Sequence, residues 1–419
     1  MPAIKLDKDR LRVLADWFAV AIAVALPWST SAVSILLVLW ALVLVPTLDV
    51  EGLKEEVLTP FGGLPVLLFL LGAIGMLWAT GATWHERING LDGFLKPLII
   101  PLLAIQFSRS DKGQFVLLAF LSACVLLLIG SIVVAIWPDL PRGSRDPGVL
   151  VKAYIVQSIE FTICAAVLLD FAVRTARPGR WLGAAAAAGL GLAFLADVLF
   201  VATGRTALVV IAALVILFGV RRAGWKGAIV AGVIGAIVAS VVWTASPYLR
   251  KRVSSLYPET VNFLKHDAAT SAGERLAFWE KSVRFIEAAP VLGNGTGSIN
   301  GLFAKAAVGQ TGALGELSAN PHNQTFAVGI QIGLIGMAVL WAMWIAQAFR
   351  FWQPGPLAWI GLVIVVQNVV GSLFNSFIFD FTEGWIYAFG VGVLAGIVKG
   401  DGAASRGDLA KTGEDTRAA

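Results

Sequence analysis

The sequence predicts an all-α polytopic membrane protein of about twelve transmembrane helices, with one large outer loop that contains amphipathic helices. Three observations predict it. Of 419 residues, 58% are hydrophobic and 14% charged, and the mean hydropathy is +0.80. Folded in water, such a chain would expose more apolar surface than its charges could solvate. Apolar runs long enough for a crossing recur along the chain, and a single long polar stretch, 245–324, interrupts them.

The expected spans lie near 14–27, 30–46, 63–80, 90–107, 114–137, 152–173, 180–201, 204–220, 226–244, 325–349, 356–373 and 384–399. The first two are short, and Pro27 with Trp28 is equally compatible with a kink in one longer element. Lys5, Lys8, Arg10 and Arg12 precede the first run with no small-residue cleavage site, which reads as an uncleaved span. The organisation expected is a bundle of about nine spans over 1–244, the loop over 245–324, and about three spans over 325–399. A Gly-, Ala- and charge-rich cytoplasmic tail over 400–419 is expected to be disordered.

Orientation follows from Lys and Arg in the connections. Arg109, Lys112, Arg174, Arg177, Arg180, Arg221, Arg222, Lys226 and Arg350 fall on one side, with the tail. The opposite connections hold fewer, chiefly Arg87, Arg142, Arg145 and Lys152. That bias puts both termini in the cytoplasm and the long loop outside.

The net charge of +5 and pI near 9.3 therefore reflect topology. No basic stripe interleaves with exposed aromatics, so nucleic acid is not expected as a partner. Cys124 and Cys164 both lie in apolar spans, which argues against a disulfide framework or a cysteine metal site. There is no Walker A sequence, no His-Glu-x-x-His and no Gly-x-Ser-x-Gly.

Within the loop, 273–289 has the apolar pattern of an amphipathic helix, with Leu276, Phe278, Trp279, Val283 and Ile286 broadly on one side, suited to the membrane surface. Pro290 stops it. A glycine-rich turn (293–298, GNGTGS) and a short helix (299–308) follow.

His322, in Asn320-Pro321-His322-Asn323-Gln324, sits where the loop meets a span. A neutral imidazole there can take a proton from an attacking hydroxyl; the plainer reading is a capping histidine. Arg275 opens the amphipathic helix, where guanidinium and helix amides suit a phosphate; alternatively it is a solvated charge. Arg205, in Thr203-Gly204-Arg205-Thr206, lies close to hydrocarbon and either pairs, serves a site or snorkels. Arg142, Arg145 and Lys152 could extend a diphosphate site or touch lipid headgroups. Glu160 and Asp197 are candidate counter-ions to an arginine. The glycine turn could present amides to an anion, though most such runs are only turns.

Two outer arginines and a histidine suggest one reaction type. A glycosyl group leaves a diphosphate while a hydroxyl attacks its anomeric carbon; fixed cations stabilise the leaving group and a base accepts the proton. A direct attack inverts the anomeric centre, and no carboxylate nucleophile for retention is evident.

These residues resemble a family. Gly204-Arg205-Thr206-Ala207-Leu208 opens a span, and Arg275-Leu276-Ala277-Phe278-Trp279 is followed by Pro290 through Gly295. Pro321-His322-Asn323 then precedes a span with Gly333-Leu334-Ile335-Gly336. In order and spacing, over roughly 203–336, they resemble the bacterial O-antigen ligases of the ligase and polymerase superfamily. The resemblance implies a GT-C-like fold in the bacterial inner membrane. It implies transfer of O-antigen from undecaprenyl diphosphate to the lipid A–core oligosaccharide at the periplasmic face, without metal, ATP or other cofactor. Arg205 and Arg275 would hold the diphosphate and His322 would activate the acceptor. The superfamily's polymerases tend to carry two sizeable outer loops, whereas the 138–151 connection here is short. Polymerases and protein or pilin O-glycosyltransferases are the near alternatives. A lipid-linked glycan transporter is more distant, because it would need ionisable residues at mid-membrane.

Overall fold

The computed structural model describes residues 7–418 except 80 and 145, with side chains placed through Asp401. It is all helical, with no strand among the described residues. In chain order the helices are α1 (Lys8–Ala25), α2 (Thr30–Leu44), α3 (Val50–Val57), α4 (Pro60–Gly75), α5 (Trp84–Leu95) and α6 (Ile99–Phe107). Then come α7 (Gly113–Ile136), α8 (Tyr154–Thr175), α9 (Trp181–Phe200) and α10 (Arg205–Ala245). The 246–323 region folds into α11 (Pro247–Ser254), α12 (Leu256–His266), α13 (Ser271–Ala288), α14 (Ile299–Ala307) and α15 (Gly312–Gly315). The chain closes with α16 (Gln324–Arg350), α17 (Pro356–Gly371) and α18 (Phe381–Ala418).

Nine helices among the described residues are long and apolar enough to cross a bilayer, the mark of a polytopic membrane protein. Each of the twelve expected stretches coincides with a helical segment, but not all are separate long helices. α10 comprises two helical arms that meet at a kink and form a hairpin. Ala223 and Gly224 leave helical geometry (φ −147°, ψ 24° and φ 60°, ψ −147°) and turn the chain back. A Cβ on Gly219 or on Gly227 would collide with the other's carbonyl, so the two arms cross on small residues. α1 and α2 are separate helices rather than one kinked element, joined by a turn in which Trp28 and Ser29 both donate to Ala25 O. α17 has 16 residues, short for a crossing. α18 carries the last apolar span over Phe381–Asp401, ahead of the tail expected to be disordered.

Residues pointing away from the bundle are apolar. Ile35, Leu42, Ile229, Ile237 and Val241 are all more than half exposed, as a lipid-facing surface requires. Inside, Phe161 meets Phe194 edge-on (centroids 4.9 Å), and Phe94 meets Phe379 in the same way (4.8 Å). Pro97 interrupts the α5–α6 stretch with a tight turn over Lys96–Leu98. The buried Lys96 donates Nζ to Phe379 O at 2.8 Å, bracing the α17–α18 connection.

Two motifs singled out in the sequence turn out to be halves of one joint. α16 breaks at Ile332 and Gly333 (φ 65°, ψ −163°), which frees carbonyls that a continuous helix would satisfy. The 290–297 segment takes them. Asn294 N–H donates to Ile330 O (2.8 Å) and Gly295 N–H to Gln331 O (2.9 Å), while Leu334 N–H donates back to Pro290 O (2.8 Å). Gly297 N–H reaches Gln331 Oε1 (2.8 Å), and Thr296 binds Gly72 O at the end of α4 (2.5 Å). The amides of the glycine turn are thus used inside the protein, as buried backbone demands, and do not present an anion nest. Gly293 (φ 68°) and Gly333 face each other so closely that a Cβ on either would strike the other's backbone. Gly333→Val is therefore expected to cost at least about 2 kcal/mol, combining left-handed strain with overpacking. Thermal unfolding in detergent checks it, and an unchanged midpoint would mean that this joint does not hold α16.

Candidate functional site

α13 is the amphipathic helix expected, started by Thr270, whose hydroxyl accepts from Gly273 N–H at 3.2 Å. Its inner face differs from expectation: Ala277, Phe278, Lys281 and Ser282 are buried, whereas Val283 is 42% exposed. The helix packs on α16 with Phe278 against Phe303 of α14 (5.5 Å), so it is part of the folded body. Lys281 escapes an apolar setting by donating to Leu314 O at 2.6 Å.

One turn apart on α13, Arg275 and Phe278 share a face. The Phe278 ring stacks on His322 (centroids 6.0 Å, planes 17° apart). His322 takes a left-handed backbone (φ 52°), uncommon for any residue with a side chain. Asn320 holds it there, accepting His322 N–H on Oδ1 at 2.8 Å, and Ser376 Oγ fixes that same oxygen at 2.6 Å. Asn323 next caps α16 by accepting Phe326 N–H (3.1 Å). His322 is thus pinned between an Asx turn and a helix start.

The ring is oriented as well. Asn375 donates Nδ2–H to Thr206 Oγ1 at 3.2 Å and turns its Oδ1 to His322 Nδ1 at 3.4 Å. Nδ1 then carries the proton and Nε2 keeps its lone pair. Burial, and after it the positive charge of Arg275, hold the imidazole below its ordinary pKa, with the Asn375 contact a smaller opposing influence. Near neutral pH the ring is an uncharged base.

Arg205 is paired. It meets Glu259 of α12 with both terminal nitrogens (2.8 and 3.1 Å) and adds Ser255 Oγ at 2.9 Å. Glu259 also accepts Ala272 N–H at the start of α13 (3.2 Å), and these contacts, Arg205 foremost, keep its carboxyl below the usual range. The pair therefore ties α10 to α12 and α13. Arg205 Nε is left buried with no partner, as is Arg252 Nε; Arg252 lies over the Tyr154 ring at 5.0 Å. Arg275 makes no hydrogen bond or ion pair among the described residues. Its half-buried guanidinium feels Tyr154, Arg205, Glu259 and Glu274 as neighbouring charges, and burial lowers its pKa. Arg205 and Arg275 thus stand close to Glu259 and Glu274, with Arg275 a neighbouring charge to the neutral histidine.

Arg205, Arg275 and His322 are thus brought together, while Arg142 and Lys152 of the second basic group are bonded elsewhere. Arg142 donates to Ser144 O and Pro138 O of its own loop. Lys152 points into the bundle, donating to Leu26 O and to Thr382 Oγ1. Arg145 lies outside the described residues. Neither acidic candidate pairs with an arginine: Asp197 accepts from Ser131 and Gln157, and both Glu160 oxygens are buried without a hydrogen bond. Sequence reasoning missed Arg252, Glu259 and Asn375, and quoted Thr206 within its motif without a role. Of those missed, Asn375, in a polar pair with Ser376 beside an apolar span, left a trace there.

Residues 190–341 match the family model described as O-antigen ligase, a stretch that holds Arg205, Arg275, His322 and the α16 joint. No curated protein matches the chain significantly.

Proposed function

We propose that this chain, whose residues 190–341 match the family model described as O-antigen ligase, transfers O-antigen from undecaprenyl diphosphate to a hydroxyl of lipid A–core oligosaccharide at the periplasmic face of the inner membrane. The observation that carries this reading is the unpaired Arg275 guanidinium beside a neutral, oriented His322. In the reaction His322 Nε2 takes the proton from the acceptor hydroxyl as its oxygen bonds to the anomeric carbon. The bond from that carbon to the diphosphate oxygen breaks, and the diphosphate leaves with its electron pair. Arg275 meets the growing negative charge, helped by the free Nε–H of Arg205 and by Arg252. Glu259 is a poor nucleophile because its oxygens already accept from Arg205 and Ala272, which favours a single inverting displacement. Arg142 and Lys152 have no part in the diphosphate site on this reading.

The test is expression in a ligase-deficient smooth strain with compatible core, followed by a gel for capped lipopolysaccharide. A restored ladder supports the ligase reading. No ladder, with long undecaprenyl-linked glycan still present, overturns it in favour of a protein acceptor; short glycan extended to long would mean a polymerase.

Two outcomes follow for the base. Wild-type transfer is expected to be flat through neutral pH and to fall only below about 6.5, the ordinary histidine value, because burial and Arg275 push His322 down. Asn375→Asp places an anion on Nδ1, raises the imidazole's pKa and moves the acid limb to higher pH. A pH–rate profile of kcat/KM checks both, and an unmoved limb in Asn375→Asp would separate the limb from His322.

A further inference from the structure

The end of the bundle away from His322 carries a polar cavity, of about 450 Å³, that the transfer reaction does not use. Arg221 and Arg222 lie 16 and 17 residues after Arg205 on the first arm of α10, about 25 Å along the helix at 1.5 Å per residue. Arg174, at the end of α8, completes the set. Among the described residues the cavity's lining holds one carboxylate, Asp170, whose side chain is 4% exposed. Asp170 accepts from Arg174 and from Arg222 (2.8 Å). Arg221 is held by neutral carbonyls, Phe351 O (3.2 Å) and Gln353 O (2.8 Å), beside the Trp352 ring at 5.6 Å. The cavity thus holds two positive charges in excess. Arg174 and Arg222 keep 33% and 38% of their side chains open.

Two apolar clefts flank it. One, of about 230 Å³, runs between α8, α10 and α17, past Leu169, Ile211, Leu214 and Trp359. The other, of about 430 Å³, lies in the crook of the α10 hairpin along Val215, Val230 and Ile234. Phe218 forms a wall of the cavity and of both clefts. Trp225 and Trp352, 70% and 51% exposed, mark this level as a membrane interface. The geometry points to a site for an anionic diacyl phospholipid, its phosphate on Arg174, Arg221 and Arg222 and one chain in each cleft. Charge complementarity selects the headgroup, as basic pockets between membrane helices do, and paired clefts select two chains over a free anion.

The test uses the full chain, purified and delipidated in detergent, with binding read by native mass spectrometry and by thermal midpoint. Dioleoyl phosphatidylglycerol is the probe, with dioleoyl phosphatidylcholine and inorganic phosphate as comparisons. Phosphatidylglycerol is expected to be retained and to raise the midpoint, with neither comparison doing so. Arg222→Gln, which leaves Arg174 on Asp170, is expected to weaken that binding about fivefold. Val215→Trp fills cleft space with every cation intact, and should weaken phosphatidylglycerol binding as well; it carries the test if the arginine variant does not fold. Equal binding of phosphatidylcholine would overturn the headgroup assignment. An equal rise with inorganic phosphate would reduce the site to an anion pocket, and wild-type affinity in a folded variant would leave the arginines as topology signals alone.

Discussion

His322→Ala is expected to lower glycan transfer by about 10²–10⁴-fold, the span typical of a positioned general base, without changing the amount of protein in the membrane. The reasoning separates two jobs of the residue. Its backbone, left-handed at φ 52°, is held through Asn320, Asn323 and Pro321, none of which the substitution alters. Its ring contributes the stacking on Phe278 and the Nε2 lone pair. Alanine removes both, but only the lone pair takes part in chemistry. His322→Gln discriminates between them, because an amide retains polar contact with Asn375 and cannot accept a proton near neutral pH. Both variants are expected to fail alike in single-turnover transfer at matched membrane levels. If His322→Gln retained most of the activity, the proton would have to leave by another route and His322 would be a positioning residue.

The layout of spans was legible because hydrocarbon leaves little choice: every run of apolar residues must become helix to satisfy its own backbone. Hydropathy cannot show where such a helix bends. α10 reads as two spans and folds as a hairpin because Gly219 and Gly227 let its arms touch. α16 reads as one span and is broken, because Gly333 meets an amide-rich turn from residues 40 positions earlier (Gly293). The motif containing Gly333 was visible as a motif, but its purpose depended on a partner that no local pattern specifies.

The site was legible for a similar reason and to a similar depth. Arg205, Arg275 and His322 stood out as polar residues at the edge of apolar stretches, where a charge needs an explanation. Glu259 and Arg252 sit in ordinary polar surroundings of the loop, and nothing in spacing ties them to a residue over 40 positions away. The same blindness hid the direction of Lys152, which the sequence grouped with Arg142 and Arg145 for a diphosphate or lipid headgroups and whose chain turns inward to Leu26 O and Thr382. A side chain's direction is a tertiary fact.

Arg275 and Arg205 are both cations of the same pocket, yet their substitution is expected to fail by different routes. Arg275→Ala removes a guanidinium with no internal partner among the described residues, so the fold loses little. The leaving diphosphate loses its main unneutralised charge, and transfer is expected to fall about 10²–10³-fold, as when an electrostatic donor to a transition state is deleted. The imidazole is also freed of a repelling charge, so its pKa rises and the residual activity should lose its acid limb at higher pH than wild type. Arg205→Ala instead strands Glu259, half-buried and still anionic, and cuts the link from α10 to α12 and α13. Breaking one member of such a pair costs more than the pair contributes, so that variant should show earlier proteolysis within 246–323 as well as lost transfer. Arg205→Ala/Glu259→Ala removes both charges and is expected to regain protease resistance while activity stays low, because the cationic Nε–H goes with Arg205. The comparison is made by limited proteolysis and transfer assay on the same preparations. Full activity in the double variant would confine Arg205 to holding the loop in place and leave Arg275 and Arg252 to carry the diphosphate.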